Sequence, residues 1–216
     1  MAADREMIKT LASSAPGTII HRVFSWKSPS VSLGRSAHLL PGAKAELAAS
    51  GIESVVRPTG GAALIHGPGL DISYSAGLTR ARGGGAVDLV ETGRMLAAPI
   101  LAALKVHGIG GEFRDCAACG PAGESARQPL CFLQKTPFDI LVGGRKVAAF
   151  ALRRTGEVVF LHGSVLTGRT PQHMVDALIR AGIGTTPEWA DALLGVGHVE
   201  IDPYHLQESI AASIQA

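Results

Sequence analysis

The segment FDILVGGRKVAAFALRRTGEVVFLHGSVL, residues 138–166, carries the clearest structural pattern in this chain. Three runs of apolar and β-branched residues are separated by Gly143-Gly144 and by Thr155-Gly156, pairs that suit tight turns between strands. Because such turns join antiparallel neighbours, the segment predicts a three-stranded antiparallel meander.

Shorter strand and helix patterns alternate in the rest of the chain. Residues 43–50 and 91–107 have the spacing of helices, and each run is followed by a glycine that can end it. Strands are expected at residues 18–34, 54–57, 62–66 and 70–75. Three C-terminal helices are expected where an N-cap residue precedes proline, at Thr170-Pro171, Thr186-Pro187 and Asp202-Pro203. The predicted fold class is α+β, with a mixed, mainly antiparallel sheet flanked by helices.

Composition restricts the class of protein. The 216 residues are 46% apolar and 18% charged with a net charge of +2, which fits one globular domain and disfavours nucleic-acid binding. We find no signal peptide and no apolar run long enough to span a membrane. Three cysteines are an odd number, which disfavours a disulfide framework and favours a reduced, cytoplasmic protein.

The segment RPTGGAALIH, residues 57–66, is the first candidate site. The pair Gly60-Gly61 between two strands leaves room for a ligand against the backbone, where amide groups can bind an anion or a carbonyl. Arg57 adds a fixed charge with a planar fork, and His66 ends the second strand. The alternative is an ordinary Gly-Gly turn. A further glycine-rich stretch, residues 82–88, is interpreted as a loop.

Lys146 and Cys131 are the other candidates. Strict alternation places Lys146 on the same face of its strand as Phe150, where a partly desolvated ammonium could polarise an acyl carbonyl. The alternative is a lysine that reaches out to solvent.

Cys131 is either a small core residue or a nucleophile, and a nucleophile needs a base or cation such as His66 or Lys146 beside it. Cys116 and Cys119 form a single pair, too little for a zinc site.

Taken in order, four segments resemble the superfamily of lipoate-protein ligases, octanoyltransferases and biotin ligases. Residues 26–35 are similar to its opening segment, and residues 57–66 to its Arg-Arg-x-x-Gly-Gly-x-Ala-Val-x-His loop. Residues 139–154 resemble a strand pair with an aspartate and a Gly-x-Lys motif, and residues 161–165 a segment ending in His-Gly-Ser. Cys131 lies where the cysteine-dependent octanoyltransferases similar to lipoate ligase keep their nucleophile.

The resemblance implies a class II synthetase-like or biotin ligase-like fold and a set of site residues. It gives Cys131 and Lys146 catalytic roles and implies no metal. The acyl- or adenylate-binding residues it implies are Arg57, Gly60, Gly61, Ala62, His66, Asp139, Ala149, Phe150, His162, Gly163 and Ser164. Together they predict a glycine-lined loop and a strand-borne ammonium that face each other across an apolar slot sized for a fatty chain.

Several positions depart from the family pattern. Val56 replaces the first arginine of the pair, and Ala62 stands where glycine or arginine is usual. Ala149 and Phe150 replace a Gly-Ser pair, so that Ala149 is expected to crowd an adenylate and Phe150, beside Lys146, to shorten or block the acyl slot. These changes disfavour ATP-dependent ligation more than acyl binding.

Three hypotheses follow from the resemblance. The first is an acyltransferase that moves an octanoyl or lipoyl group through a Cys131 thioester to a lysine of a lipoyl carrier domain, with an acyl carrier protein as one candidate donor. The second is an ATP-dependent lipoate-protein ligase, which alone would require ATP and Mg²⁺. The third is a non-catalytic relative that binds an acyl group or a carrier. Each implies a single catalytic domain over residues 1–216 without the accessory C-terminal domain, no tightly bound cofactor, and no nucleic-acid or membrane partner.

Overall fold

The computed structural model describes residues 1–35, 37, 39–83, 88–115, 130–183 and 196–215. Within them the strands are β1 (Ile19–Ser25), β2 (Ser30–Leu33), β3 (Glu53–Val56), β4 (Leu64–His66), β5 (Asp71–Thr79), β6 (Gly111–Phe113), β7 (Ile140–Val142), β8 (Arg145–Thr155) and β9 (Val158–Leu166). The helices are α1 (Ala2–Ser13), α2 (Ala43–Ala49), α3 (Leu89–Val106), α4 (Gln172–Arg180) and α5 (Pro203–Gln215).

These strands form two sheets. The larger has the order β1-β5-β9-β8-β7-β6, and each neighbouring pair in it is antiparallel. The smaller has the order β3-β2-β4, in which β2 runs parallel to β3 and antiparallel to β4. The predicted α+β class is confirmed, although the strands divide between two sheets.

The larger sheet separates two apolar cores. On one face, α3 and α5 contribute Ile100 and Leu206 to a core with Tyr74 and Leu161 of the sheet. On the other face, the smaller sheet and helices α2 and α4 form a core that includes Ile65, together with Ala149 and Leu166 of the larger sheet. The candidate segments around residues 57–66 and 130–134 belong to this second layer, in and beside the smaller sheet.

The predicted meander is confirmed as β7, β8 and β9. Gly143 and Gly144 have φ of 55° and 75°, the left-handed values that a two-residue type I′ turn requires. One detail of the prediction is wrong. Ile140 pairs with Ala148 but Leu141 pairs with Lys146, so the intervening residue of β8 is extra, a β-bulge.

The bulge changes which residues share a face. Because side chains alternate across a strand, one extra residue between Lys146 and Ala148 turns Lys146 to the face of Ala149. Phe150 stays on the opposite face, in the core under α3 and α5, where its ring packs edge-on against Tyr74 at 6.4 Å. The expectation that Phe150 lies beside Lys146 and blocks an acyl slot is therefore wrong.

Helix ends follow their capping chemistry with small shifts from the prediction. Asp88 accepts hydrogen bonds from the amides of Val90 and Glu91, which starts α3 two residues earlier than expected, and the helix continues through Pro99. Asp202 caps α5 as predicted, accepting from the amides of Tyr204 and His205. The N-cap of α4 is Pro171 rather than Thr170.

The amino-terminal helix α1, which the sequence did not indicate, packs on the larger sheet through Leu11 and Phe160. Among the helices in the described ranges, none combines the length and the hydrophobicity needed to cross a membrane. Three features singled out in the sequence lie outside the described residues: Thr186-Pro187, the pair Cys116 and Cys119, and residues 84–87 of the glycine-rich loop.

Candidate active site

Cys131 lies on a short segment that extends the smaller sheet. Leu130 forms a parallel bridge with Ala63 next to β4, and the Cys131 amide donates to the Ala63 carbonyl at 2.8 Å. The side chain is 5% exposed, and its sulfur donates to the Ala62 carbonyl at 3.3 Å. Backbone pairing thus places the sulfur directly beneath the loop that carries Gly60 and Gly61.

Arg57 is the cation in contact with this sulfur. Its Nη2 donates to Cys131 Sγ at 3.2 Å, and the whole side chain is buried. The same Nη2 donates to the carbonyls of Gly60, at 2.8 Å, and Ala62, while Nη1 donates to the Ser32 carbonyl at 2.8 Å. The planar guanidinium therefore fixes the loop and the sulfur together. Burial lowers the pKa of Arg57, and the neighbouring Cys131 opposes that shift.

Two glycines allow the loop to lie this close. Gly61 has φ of 84°, and a Cβ on it would lie 3.1 Å from both Arg57 Nη2 and Cys131 Sγ. A Cβ on Gly34, which follows β2, would lie only 1.9 Å from the Gly61 carbonyl oxygen. Such a distance excludes any side chain at Gly34, because the obstructing atom belongs to the backbone.

Lys146 holds the cysteine segment from the other side. Its Nζ donates to the carbonyls of Cys131 at 2.8 Å and Gln134 at 2.7 Å, and it pairs with Asp139 Oδ1 at 2.9 Å. Those three contacts match the three N–H donors of an ammonium. Burial lowers the pKa of Lys146, an effect that the Asp139 charge opposes. In this arrangement Lys146 positions the segment that carries Cys131, with no donor left over for a carbonyl of a ligand.

Asp139 in turn is fixed by its own neighbours. Its carboxylate accepts from the Thr136 amide at 2.8 Å and the Thr136 hydroxyl at 2.7 Å, and it pairs with Arg114 Nε at 3.4 Å. Asp139 and Lys146 thus form an ion pair that anchors residues 131–136.

His66 belongs to a separate buried network. Its Nε2 hydrogen-bonds Ser32 Oγ at 2.7 Å, and its Nδ1 pairs with Asp71 Oδ2 at 2.7 Å. The Trp26 ring stacks on the imidazole at 4.3 Å and donates through its indole nitrogen to Ser73 at 2.8 Å. Since both ring nitrogens of His66 are occupied away from the sulfur, the expectation of His66 as a base for Cys131 is not supported, and Arg57 takes the place beside the thiol.

His162 and Ser164, also predicted for the pocket, face other partners. Ser164 Oγ donates to Asp71, within the His66 network. His162 is fully buried, and its ring packs near the Phe24 ring. Its Nδ1 lies 3.0 Å from Ser75 Oγ and 3.5 Å from Asp4 Oδ2. Burial lowers the pKa of His162, opposed by Asp4. This side chain therefore joins the sheet to α1.

Of the remaining predicted residues, Ala149 shares the core with Cys131, while Gly163 allows close packing inside the sheet. A Cβ on Gly163 would lie 2.2 Å from the Ala149 carbonyl oxygen and 2.3 Å from a Phe150 ring carbon. Five of the predicted residues do lie around Cys131: Arg57, Gly60, Gly61, Ala62 and Lys146. The glycine loop and Lys146 thus both lie against the segment that carries Cys131.

The apolar slot between them is not open to a fatty chain. A cavity beside the cysteine has a volume of only about 10 Å³, roughly the space of one water molecule. Its lining residues are Ala63, Ile65, Leu130, Phe132, Leu166 and Thr170. The lining is apolar apart from Thr170, as the prediction required. The cavity is, however, far smaller than the predicted slot for a fatty chain.

Sequence reasoning missed three residues that hold the site. Gly34 is recognisable only once the loop over it is known, because its requirement comes from a tertiary contact. Ser32 and Asp71, which fix Arg57 and His66, sit at positions that a local pattern treats as ordinary strand residues. The one available signal was Asp71 opening β5 directly after the loop that follows His66.

The family model described as "Lipoyl protein ligase A/B catalytic domain" matches residues 1–190 of the chain. Among curated proteins, an octanoyltransferase LipM from Symbiobacterium thermophilum is 32% identical over 151 residues, which are 67% of this chain and 52% of that protein. An octanoyltransferase LipM from Kyrpidia tusciae is 27% identical over 187 residues, 82% of this chain and 65% of that protein. The chain thus spans between half and two thirds of the length of these relatives.

Solved structures agree with the fold. A crystal structure of lipoate-protein ligase A bound with ATP superposes with a TM-score of 0.67 at 16% identity, over 99% of this chain and 77% of that one. A bi-partite lipoate protein ligase from Thermoplasma acidophilum, studied with its E2 lipoyl domain, gives 0.63 at 14% identity, over 99% and 76%. These likenesses confirm the predicted fold.

Proposed function

Because this chain belongs to the lipoyl protein ligase A/B catalytic-domain family, we propose that it is an octanoyltransferase that works through a thioester on Cys131. The observation that carries the proposal is the contact of Arg57 Nη2 with Cys131 Sγ at 3.2 Å. A cation beside a thiol favours the thiolate, which is the nucleophilic form. The two relatives named octanoyltransferase LipM support octanoyl transfer as the reaction.

The reaction divides into two balanced steps. The Cys131 sulfur attacks the carbonyl carbon of an octanoyl thioester, the donor's carbon–sulfur bond breaks, and the donor leaves as a thiol carrying the proton that Cys131 gives up. The amine of an acceptor lysine then attacks the enzyme thioester, forming an amide and returning the thiol to Cys131. We assign the amides of Gly60 and Gly61 as the candidate donors that stabilise the developing oxyanion in both steps.

Arg57 and Lys146 have different parts in this scheme. Arg57 stabilises the thiolate directly, whereas Lys146 positions the segment that carries it through the Cys131 and Gln134 carbonyls. The acyl chain would occupy the apolar cavity beside Phe132. Because a volume of about 10 Å³ is far too small for eight carbons, the acyl chain can enter only if the surrounding side chains move.

The acceptor in this proposal is a lysine of a lipoyl carrier domain, and an acyl carrier protein is one candidate donor. The bi-partite lipoate protein ligase from Thermoplasma acidophilum has an E2 lipoyl domain as its partner, which supports a carrier of this kind as the acceptor. A cytoplasmic location and a single catalytic unit over residues 1–216 remain predictions of the same scheme.

An ATP-dependent ligase is the second candidate, favoured by the likeness to a lipoate-protein ligase A solved with ATP. The structure opposes it at one point: Lys146 is engaged by three partners of its own chain.

A transfer assay separates these functions. The full chain is incubated with an octanoyl thioester and a lipoyl domain, with and without ATP and Mg²⁺, and octanoylation of the domain is followed by mass spectrometry. We expect transfer without ATP and its loss in Cys131→Ser. Transfer that requires ATP and releases pyrophosphate would identify a ligase instead, and binding of the domain without turnover on any donor would identify a non-catalytic relative.

A further inference from the structure

Arg57 also borders a second pocket, which the proposed transfer chemistry does not use. This pocket has a volume of about 190 Å³ and lies between α1, the ends of β2 and β3, and β8. Four arginines line it: Arg5, Arg35, Arg57 and Arg153. Its other lining residues are apolar: Ile8, Val56 and Pro58. No acidic residue is among these seven.

The positive charge in the pocket is not balanced by the protein. Within the ranges that the structure describes, none of the four arginines forms an ion pair with a carboxylate. Two of them are instead held by carbonyls of the smaller sheet's loop: Arg5 Nη2 donates to Val56 at 3.0 Å, and Arg153 Nη1 donates to Pro58 at 2.9 Å. Four cations collected without a counter-charge create a strongly positive concave site.

The innermost of the four also has an unused donor. Arg57 is fully buried, and its Nε has no hydrogen-bond partner among the residues that the structure describes. A buried N–H without a partner is costly, so a ligand, ion or water that accepts from it would be stabilising. The planar fork of an arginine matches the oxygen geometry of phosphate and carboxylate groups, and a phosphate brings more negative charge to a cluster of four cations.

We propose that this arginine pocket binds a phosphate group, and that its occupancy is sensed at Cys131 through Arg57. The same guanidinium lines the pocket and contacts the sulfur, so an anion that engages Arg57 weakens the positive field at the thiol. The phosphate could come from two sources: the phosphopantetheine arm of an acyl carrier, or a nucleotide. This inference does not depend on thioester transfer, since binding and thiol reactivity are both measured without turnover.

Binding is tested by calorimetric titration of the full chain with inorganic phosphate, pyrophosphate, 4′-phosphopantetheine and unphosphorylated pantetheine, at constant ionic strength. We expect saturable binding of the phosphorylated compounds, weakened about tenfold or more by Arg35→Gln and by Arg153→Gln. Arg35 is exposed and Arg153 only half-buried, so both variants should fold. The matched control is Arg154→Gln, which removes an exposed arginine next in sequence that instead contacts the Gly156 carbonyl.

The two sources are separated by comparing the ligands. Tighter binding of 4′-phosphopantetheine than of pyrophosphate identifies a carrier arm, and the reverse order identifies a nucleotide; either result supports a phosphate site. Absence of saturable binding, or binding that survives loss of both Arg35 and Arg153, overturns the proposal.

The link to Cys131 is tested by iodoacetamide alkylation, with the modified cysteine identified by peptide mapping. Phosphate at the concentration that just saturates the wild-type protein should slow alkylation of Cys131 about tenfold relative to sodium chloride of equal ionic strength, because the thiolate loses part of its cationic stabilisation. At that same concentration the slowing should be much smaller in Arg35→Gln and retained in Arg154→Gln. An alkylation rate that is the same with and without bound phosphate would contradict the coupling through Arg57.

Discussion

The guanidinium of Arg57 donates to Cys131 Sγ across 3.2 Å while both side chains are withdrawn from solvent. The contact joins two segments 74 residues apart, one from the glycine loop and one from the bridge beside β4. Its consequence is that the reactivity of Cys131 should depend on the shape of the cation next to it as well as on its charge.

That dependence can be tested with Arg57→Lys, which keeps the charge but loses the planar fork. The ammonium cannot reach Ser32, Gly60, Ala62 and Cys131 together, so we expect alkylation of Cys131 to slow by about tenfold and octanoyl transfer by more. Arg154→Lys is the matched control. Alkylation at the wild-type rate in Arg57→Lys would mean that the fork does not matter to the thiol.

Lys146→Met separates a positioning role from direct contact with the acyl group. Because the Lys146 donors are taken by Cys131, Gln134 and Asp139, we expect the variant to misplace the sulfur and to lose both alkylation and transfer, each by roughly 100-fold. Iodoacetamide alkylation forms no oxyanion. If transfer is lost while alkylation is unchanged, Lys146 stabilises the oxyanion and the positioning role is wrong.

Ile65→Ala tests the apolar cavity as the site of the acyl chain. Removing this side chain enlarges the cavity, so the ratio of kcat/KM for dodecanoyl over octanoyl thioester should rise, with a loss of about 2–5 kcal/mol in stability. Ile72→Ala makes the same truncation in the core on the opposite sheet face and should leave that ratio unchanged. An equal shift of the ratio in both variants would mean that this cavity does not hold the acyl chain.

Asp4 predicts a specific dependence of stability on pH. Burial acts to raise the pKa of this carboxyl, but His162 and the Arg22 salt bridge outweigh it and lower the pKa from 3.8 to about 2. A lowered acid pKa stabilises the folded state above the unfolded value, and this contribution disappears as the pH falls through the folded value.

The wild-type protein should therefore exceed Asp4→Asn in free energy of unfolding by about 2 kcal/mol near pH 6. The difference should shrink between pH 4 and pH 2, as measured by urea denaturation at a series of pH values. Glu6→Gln, an exposed acid on the same helix, should show no such change. A difference that stays constant down to pH 2 would contradict the shifted pKa.

The sequence predicted most of the strands and the meander turns, because alternation and Gly-Gly turns are local signals, whereas the residues expected around Cys131 came from the resemblance to the family. It could not predict which face Lys146 occupies, since the bulge before Ala148 is a property of strand pairing and reverses every side chain beyond it. Helix α1 was missed because only two of its residues are buried, Leu11 and the charged Asp4, which leaves no apolar stripe to mark it.

The partner of the thiol was misjudged for a similar reason. His66 and Lys146 have the chemistry of a base, yet both are committed to Asp71 and Asp139, whose positions depend on the tertiary structure. Arg57 reaches the sulfur because Gly61 and Gly34 let the loop fold down over Cys131. Likewise, the apolar character of the cavity was predictable from the residue types around it, whereas its closed state depends on how those side chains pack.

The most direct test is mass spectrometry of the intact chain after exposure to an octanoyl thioester without ATP. We predict one octanoyl adduct that maps to Cys131, is released by hydroxylamine as thioesters are, and moves to a lysine when a lipoyl domain is added. The absence of an adduct, or an adduct that persists in Cys131→Ser, would contradict the assignment of Cys131 as the nucleophile.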